Sequence, residues 1–529
     1  MNNFKYPKGS EWRKWDLHVH TPFSYLNNQF NSNFENFDSI FNNYVKQLFM
    51  SALKKDIATI GITDYFIIEG YKKLKNDYLS NDEKIKKLGF KEDEIKKIKK
   101  ILILPNIEFR LNKLVGTNRI NFHVIFSDEV GINEIEENFL REIKFVYEGA
   151  PHTEDEKRPL TLQNLETLGE KLKNQNESFK SKTDIEVGMM NSVVDDTEIM
   201  KILSNKKSIF EGKYLTFVPA DEDLSKISWN SQDHNVRKVI IQKSDGFFSS
   251  NQGTREFGLG YKHPSIEEFL EEFKTLKPCI WGSDAKSYEK FFEPDLKRYT
   301  WIKTDPTFEG LKQIIYEPEE RVYIGEEPPV KIERDKIIKS ITISNSNRWF
   351  KDNKPIPLNE GLVSIIGGKG SGKTALLDLI AYTTRSYKCY EKDESKSKSF
   401  LKKAFRELNG VKIKVEWDDK KVDEISILNK LEDAMEDRVR YLPQDFIDQL
   451  CSGIGKNELE EQIENVIFQQ IPAEDKASFT NFKDYKENLL RVINDKKDRI
   501  IKQIKEINLK IYEHKELIKS KGAKNEEIK

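Results

Sequence analysis

The sequence predicts an α/β protein in two parts, a β/α barrel followed by a phosphate-binding lobe that runs out into a long polar helix. Three observations predict it. A His-x-His pair near the N-terminus is followed by apolar runs that end in carboxylates or carry a histidine. A complete phosphate-loop signature spans Gly367 to Thr374, and an apolar seam at three- and four-residue steps runs from Leu490 to Ile518.

The first element is Trp15-Asp16-Leu17-His18-Val19-His20-Thr21, which places two of the chain's seven histidines within three residues. Residues two apart in a strand share a face, so His18 and His20 can hold one ion through neutral nitrogens while Leu17 and Val19 pack the other way. Four further runs follow. Ile57 to Asp64 reads as a buried strand ending in a carboxylate, and Ile101 to Glu108 ends the same way. Asn121 to Phe126 carries His123 inside an apolar run, and Pro278 to Asp284 closes on Gly-Ser-Asp. Metal-ligating side chains at the ends of successive strands describe the mouth of a barrel.

On these residues the chain resembles the PHP family, named for polymerase and histidinol phosphatase. The resemblance covers the Asp-Leu-His-Val-His-Thr motif, Ile62-Thr63-Asp64, Glu108, His123 and Gly282-Ser283-Asp284-Ala285. It implies a distorted (β/α)7 barrel with two or three metal ions at its C-terminal rim. The implied ligands and catalytic residues are His18, His20, Asp64, Glu108, His123 and Asp284, and the implied ions are Mn²⁺, Zn²⁺ or Fe²⁺. The implied reaction is metal-assisted hydrolysis of a phosphoester. Two positions depart from the family pattern, because Tyr65 and Lys286 stand where histidine ligands are usual. The site is therefore expected to hold fewer ions, or to use Lys286 as a fixed positive charge near the phosphate. His152, His234 and His263 sit in polar, loop-like contexts, where a solvated histidine is the default reading.

Gly367-Gly368-Lys369-Gly370-Ser371-Gly372-Lys373-Thr374 matches G-x-x-x-x-G-K-[ST] in full. The β-rich run Gly361 to Ile366 is expected as the strand before it, and Ala375 to Ala381 as the helix after it. The glycines let backbone N–H groups turn in around phosphates, at a helix N-terminus that adds partial positive charge. Lys373 is expected on the β- and γ-phosphates of ATP and Thr374 on its Mg²⁺. Arg440-Tyr441-Leu442-Pro443-Gln444-Asp445 looks like the Q-loop of ABC-type ATPase heads, with Gln444 as its metal and water contact. Beyond it Leu490, Ile493, Ile500, Ile504, Ile507, Ile511 and Ile518, with Lys497 and His514 in the gaps, form a coiled-coil pattern.

A head lobe running into a coil is similar to SMC-type and RecN-like ATPases. Their second lobe carries the signature motif and the Walker B acid, and neither is found after Thr374. The chain is thus expected to be the N-terminal part of a longer protein or half of a split pair, binding nucleotide without hydrolysing it alone. The combination resembles the TrlF-like group, in which a PHP domain is fused to an SMC-like ATPase. Tyr299 to Leu311, Glu317-Pro318 and Arg321-Val322 look like that group's linker. The resemblance implies a nuclease gated by an ATPase, with nucleic acid as substrate and a role in bacterial anti-phage defence.

A chain of 529 residues is too long for one core. The expected domains are 1–330 for the barrel with insertions, 331–455 for the N-lobe of the head, and 456–529 for a helical linker and ascending coil. The charged segments 70–100 and 150–185 are read as helices capping the barrel with solvated faces. Three scattered cysteines, Cys279, Cys389 and Cys451, indicate neither a zinc ribbon nor a disulfide framework. No run reaches the length of a membrane span and no signal-type core opens the chain, so a cytoplasmic protein is expected. With 88 basic and 89 acidic side chains there is no global footprint for nucleic acid, although Lys96, Lys97, Lys99 and Lys100, or Lys396, Lys398, Lys402 and Lys403, offer local basic patches. A homo-oligomer through heads and coil is expected. The alternatives to a phosphoesterase are a degenerate barrel acting as a binding module in an ATP-dependent sensing device, and a small-molecule phosphatase.

Overall fold

The computed structural model describes residues 7–26, 28–30, 36–115, 118–147, 157–220, 234–329, 334–346, 348–386, 408–427, 438–439, 441–442, 460, 463–464, 467–468, 471–476 and 479–528. Two compact units emerge. The first is Met1–Glu333 with Pro357–Val363, and the second is Arg334–Ile356 with Ser364–Lys529. Pro357–Val363 joins the first unit because Asn359 Nδ2 donates to the carbonyls of Lys8 (2.8 Å) and Ser10 (2.9 Å).

The first unit is built on a sheet of β1 (Trp12–His20), β2 (Ile57–Tyr65), β3 (Leu102–Val115), β4 (Asn118–Phe126), β5 (Tyr214–Pro219), β6 (Gly246–Phe248), β7 (Cys279–Ile280), β8 (Tyr299–Lys303) and β9 (Val322–Gly325). Their order is β7-β6-β5-β4-β3-β2-β1-β8-β9. The sheet curls toward closure, since His20 N donates to Ala285 O just beyond β7 and Val19 forms a parallel bridge with Ala285. This is a nearly closed, barrel-like sheet of mixed direction; it agrees with the expected distorted (β/α)7 barrel in its curl and its parallel strands but does not by itself establish the sevenfold count. β1-β2-β3 and β5-β6-β7 run parallel, but β3-β4, β4-β5, β1-β8 and β8-β9 are antiparallel. The reason is connection length: two residues separate β3 from β4, enough for a hairpin and far too few for a parallel crossover. The stretch from Tyr299 that resembles a linker supplies β8 and β9, which pair beside β1 as part of this unit's sheet.

Helix α1 (Phe37–Lys55) covers one face of the sheet. Asn36 Oδ1 accepts from Ser39 N at its start, and Asp56 closes it in the left-handed region at φ 54°. Phe41, Tyr44, Val45, Leu48, Phe49 and Ala52 form one helical stripe, all fully buried. The charged segment 70–100 behaves as its pattern suggests: Tyr71, Leu74, Tyr78, Ile85, Ile95 and Ile98 pack into the same core while the lysines stay outside. Lys99 there is engaged by Asp82 at 2.6 Å. Lys396, Lys398, Lys402 and Lys403 lie outside the described residues.

In the second unit, β10 (Ile338–Ser344) pairs with β11 (Lys412–Trp417), which pairs with β12 (Val422–Ser426). Ile341, Ile343, Ile413, Val415 and Trp417 are buried beneath helix α2 (Lys373–Thr383), which contributes Leu379. The run Gly361 to Ile366 is not a strand: Leu362 and Ile366 are 92% and 91% exposed, and among the described residues no neighbouring strand takes up its backbone. A β-rich sequence needs a ladder partner to become a strand. Helix α3 (Phe482–Glu527) is a single continuous helix of 46 residues whose seam, Leu490 to Ile518, is exposed along its length. No described helix is long and apolar enough to cross a membrane.

Candidate metal centre and phosphate loop

The sequence of β1 builds the first site by breaking its own alternation. Asp16 pairs with Ile60 and Val19 with Ile62, so two residues of β1, Leu17 and His18, stand opposite the single residue Gly61. This bulge lets Leu17 face the barrel interior with Phe217, Phe248 and Ile280, while Val19 points outward into the α1 core. His18 and His20 then both turn inward at the strand's C-terminal end. Gly61 is obligatory there, because a Cβ on it would sit 2.3 Å from Leu17 O.

The imidazoles meet side chains from the middle of β3 and of β4 and from the turn just past β7. His18 Nε2 lies 3.1 Å from His20 Nε2 and 3.2 Å from Glu108 Oε2, and His20 Nε2 lies 3.4 Å from that same oxygen. Asp284 Oδ1, just past β7, is 3.0 Å from His20 Nε2 and 3.3 Å from His18 Nε2. Donor atoms about 3.0–3.4 Å apart are spaced as ligands sharing one ion at roughly 2.1 Å and angles of about 90–110°. His18, His20 and Glu108 bring ligand atoms within 4.8 Å of one another. His123, opposite Glu108 in the β3-β4 register, is fully buried with its Nε2 left without a hydrogen-bond partner. A buried bare imidazole nitrogen 3.9 Å from Glu108 Oε1 fits a cation.

The supporting shell orients these nitrogens. Asn106 Nδ2 donates to Leu17 O (2.9 Å) and Thr63 Oγ1 (3.0 Å), which turns Oδ1 toward His123 Nδ1 at 3.2 Å. His123 must then carry its proton on Nδ1, leaving Nε2 bare. His20 Nδ1 donates likewise to Ser24 Oγ (2.8 Å), which donates to Asp64 Oδ1 (2.8 Å). Asp64 also accepts from Thr21 Oγ1 (2.7 Å) and from Gly70 N (2.9 Å). So Asp64, expected as a ligand, stands behind His20 instead of beside it. His18, His20, Glu108, His123 and Asp284 are brought together as the motifs imply. Ser24, Asn106 and Asp16 were missed; Asp16 and Asn106 are polar residues within otherwise apolar strands, and Ser24 lies in the turn after β1 with no signal of its own.

Burial sets the electrostatics. It lifts Asp16 and Asp64 to about 6 despite their hydrogen bonds, and it pushes the His123 imidazole down to about 3. Burial also opposes charge on His20, yet the hydrogen bonds that its ring donates to Asp284 and Glu108 outweigh it and leave the group above 6.5. For Glu108 and Asp284 burial acts upward, but the surrounding imidazoles, with Lys286 for Asp284, hold both carboxyls far below the usual range. Tyr65 occupies its departure position by packing on the His20 ring at 4.9 Å between centroids. Lys286 places Nζ 2.6 and 2.7 Å from the two oxygens of Asp284. The cavity over the site is about 490 Å³ and is lined by Arg110, Phe248, Trp281, Lys286 and Lys290, among others. His263 pairs with Glu272 away from it, and His152 lies outside the described residues, as does the side chain of His234.

The second site stands in the other unit. Gly370 and Gly372 adopt φ of 83° and 90°, the left-handed backbone that a phosphate loop needs, and α2 begins at Lys373. Lys373 Nζ donates to the carbonyls of Gly367 and Gly368, both at 2.8 Å, so the ammonium folds over its own loop. Gly368, Lys369, Ser371 and Thr374 complete the loop at the surface. Tyr441, from the Q-loop stretch, donates to the buried Asp378 of α2. Gln444 lies outside the described residues.

Together these set two sites on one chain, a buried imidazole-carboxylate cluster whose spacing fits a metal ion and a P-loop. Residues 340–529 match the family model of an AAA domain. Among solved structures, the chain is similar to a protein described as a metal-dependent phosphoesterase from Bifidobacterium adolescentis, at 13% identity over 58% of this chain and 97% of that one. Its TM-score of 0.28 is too low for that likeness to carry fold or activity across. No curated protein matches.

Proposed function

We propose that the first unit is a metal-dependent phosphoesterase and that the second binds ATP with Mg²⁺. The observation that carries the first half is the approach of ligand atoms of His18, His20 and Glu108 to within 4.8 Å of one another, with Asp284 Oδ1 against both imidazoles and the bare Nε2 of buried His123 facing Glu108 Oε1. A divalent ion held there, Mn²⁺, Zn²⁺ or Fe²⁺, supplies positive charge to a phosphoryl group and lowers the pKa of water. The protein does the rest. Asn106 and the Ser24–Asp64 pair keep two imidazoles in the tautomer that binds cations. Arg110, Lys286 and Lys290 line the cavity beside Glu108, Asp284 and Asp295, so cations able to meet a phosphate stand among the carboxylates that would hold the ion. Phe248, Trp281 and Tyr65 wall it and limit water.

The narrower reading is a nuclease coupled to ATP binding, acting in anti-phage defence; it rests on the resemblance of the motifs. Lys373 and Thr374 are the residues expected on nucleotide and Mg²⁺, and the exposed seam of α3 is the expected partner-helix contact, with heads and coil pairing two copies.

A second reading, a barrel that binds without catalysis, is favoured by the Lys286 clamp on Asp284 and by Tyr65 on His20. One experiment separates them. Purified protein is assayed for metal content and for Mn²⁺-dependent hydrolysis of single-stranded DNA, RNA and a generic phosphodiester, with His20→Ala as control. Bound metal and cleavage lost in the variant support the phosphoesterase; a protein that takes up no metal and cleaves nothing is a binding module.

A further inference from the structure

The cavity over the cluster contains one cation with no carboxylate to answer it. Arg110 follows Glu108 by two residues on β3 and shares its inward face, while Phe109 and Leu111 pack on the opposite side with Phe122 and Val124. Across the ladder Asn121 stands opposite Arg110 as His123 stands opposite Glu108, and the regular register ends with that rung. Arg110 and Asn121 both line the cavity that Glu108, His18 and Asp284 line. The ladder therefore carries the cluster outward by one more inward-facing pair. We propose that Arg110, with Asn121 beside it, holds a second phosphoryl group of the substrate, one that is not hydrolysed, about 7 Å along β3 from the group at the ion. This rests on the phosphoesterase reading above and adds a substrate class to it: phosphoesters that carry a further phosphate next to the scissile one.

Three observations carry it. The first is charge. The two lysines of the cavity have carboxylate partners, Lys286 with Asp284 at 2.6 Å and Lys290 with Asp295 at 3.5 Å. Among the described residues Arg110 has none, and its one side-chain hydrogen bond runs from Nη1 to the carbonyl of Met190 at 3.1 Å. A guanidinium carries five N–H donors in a planar fork matched to phosphate, and most of them are unspent here. The second is rigidity. Val194 N donates to Arg110 O at 3.0 Å, and Leu111 bridges to Val194, so β3 is pinned on that edge as well as by β4. A backbone held on both sides presents the fork without a further ordering cost. The third is reach. Met190 is not among the residues lining the cavity, so its hydrogen bond keeps the guanidinium at the rim and not over the ion. Two residues of strand separate the rungs, a spacing comparable with that between neighbouring phosphates on one nucleotide or along one strand. A phosphate at the rim would gain charge-assisted hydrogen bonds without competing for the ligands of the ion.

The test compares thymidine 5′-(p-nitrophenyl phosphate) with the same ester carrying a 3′-phosphate or a 3′-(methyl phosphate), each also made with the 3′ and 5′ groups exchanged. Wild type, Arg110→Gln and Arg110→Lys are loaded with Mn²⁺, and thermal melts and metal content check that each keeps its fold and its ion. Release of p-nitrophenol gives kcat/KM. Calorimetry with methylenephosphonate analogues, which cannot be hydrolysed, gives binding with and without the second phosphate. Expected in the wild type is a preference of at least tenfold for the ester with a second phosphate, in kcat/KM and in affinity. That preference should fall to within twofold in Arg110→Gln and be partly kept in Arg110→Lys. If the methyl phosphate is preferred too, the subsite takes the next diester of a nucleotide chain; if only the free phosphate is, it takes a terminal phosphate. No preference in the wild type, or equal losses on all the esters in Arg110→Gln, would overturn the inference and leave the phosphoesterase standing. A metal-loaded wild type that turns over none of the esters would remove the phosphoesterase reading and this inference with it.

Discussion

Replacing Gly61 with alanine tests the bulge that aims both histidines. The added Cβ would lie 2.3 Å from Leu17 O, 2.6 Å from Leu17 C and 2.7 Å from Leu17 Cα. All three are backbone atoms of β1, so no side chain can rotate away, and the strands must separate by about 1 Å to reach ordinary contact. Overpacking of a buried site costs about 1–3 kcal/mol, and a backbone obstacle belongs at the upper end. The shift falls on Leu17, the residue before His18. A displacement of that size at a catalytic group costs roughly 100-fold in rate, and a comparable weakening of the ion is expected because the His18–His20 spacing of 3.1 Å would widen. Urea denaturation measures the first effect and titration of the metal-free protein with Mn²⁺ the second. A Gly61→Ala protein with wild-type midpoint and wild-type metal affinity would refute the bulge as the device that positions the site.

Asn106→Ala removes the acceptor that sets the His123 tautomer and strands Leu17 O and Thr63 Oγ1; metal affinity should fall about 10–100-fold and stability by about 2–4 kcal/mol. Stability loss with unchanged metal affinity would mean that His123 does not hold the ion. Because His20 is raised above 6.5, its protonated form stabilises the ion-free protein below 6.5, and that contribution is lost as pH rises through the folded value. An ion competes with that proton, so metal affinity should climb with pH on the alkaline side of 6.5. Calorimetry at pH 6.5 in two buffers of different ionisation enthalpy should show about one proton released per ion, and none released would contradict the assignment of His20. In the second unit, Lys373→Ala should weaken binding of a fluorescent ATP analogue at least tenfold without changing metal uptake by the first unit.

Much of this chain could be read without coordinates, for local reasons. The Walker loop is a contiguous motif whose glycines must take left-handed backbone, and Gly370 and Gly372 do. The 46-residue α3 follows from apolar periodicity, which is likewise local. The runs carrying Glu108, His123 and Asp284 were visible, two closing on a carboxylate and one holding its histidine inside, although β3 continues beyond Glu108 to Val115. What sequence alone could not decide was direction and depth. The two-residue gap after Val115 makes β4 return antiparallel, and that brings His123 opposite Glu108 from a strand running the other way. Strict alternation puts Leu17 and Val19 on one face, whereas the bulge opposite Gly61 sends them to different cores. Asp64 reads as a ligand because it ends a strand like the others, yet Thr21, Ser24 and Gly70 from separate segments surround it and make it the support of His20. Residue types and spacings determine which side chains can bind a metal; long-range packing, which no local pattern encodes, decides which of them touch it and which hold the others in place.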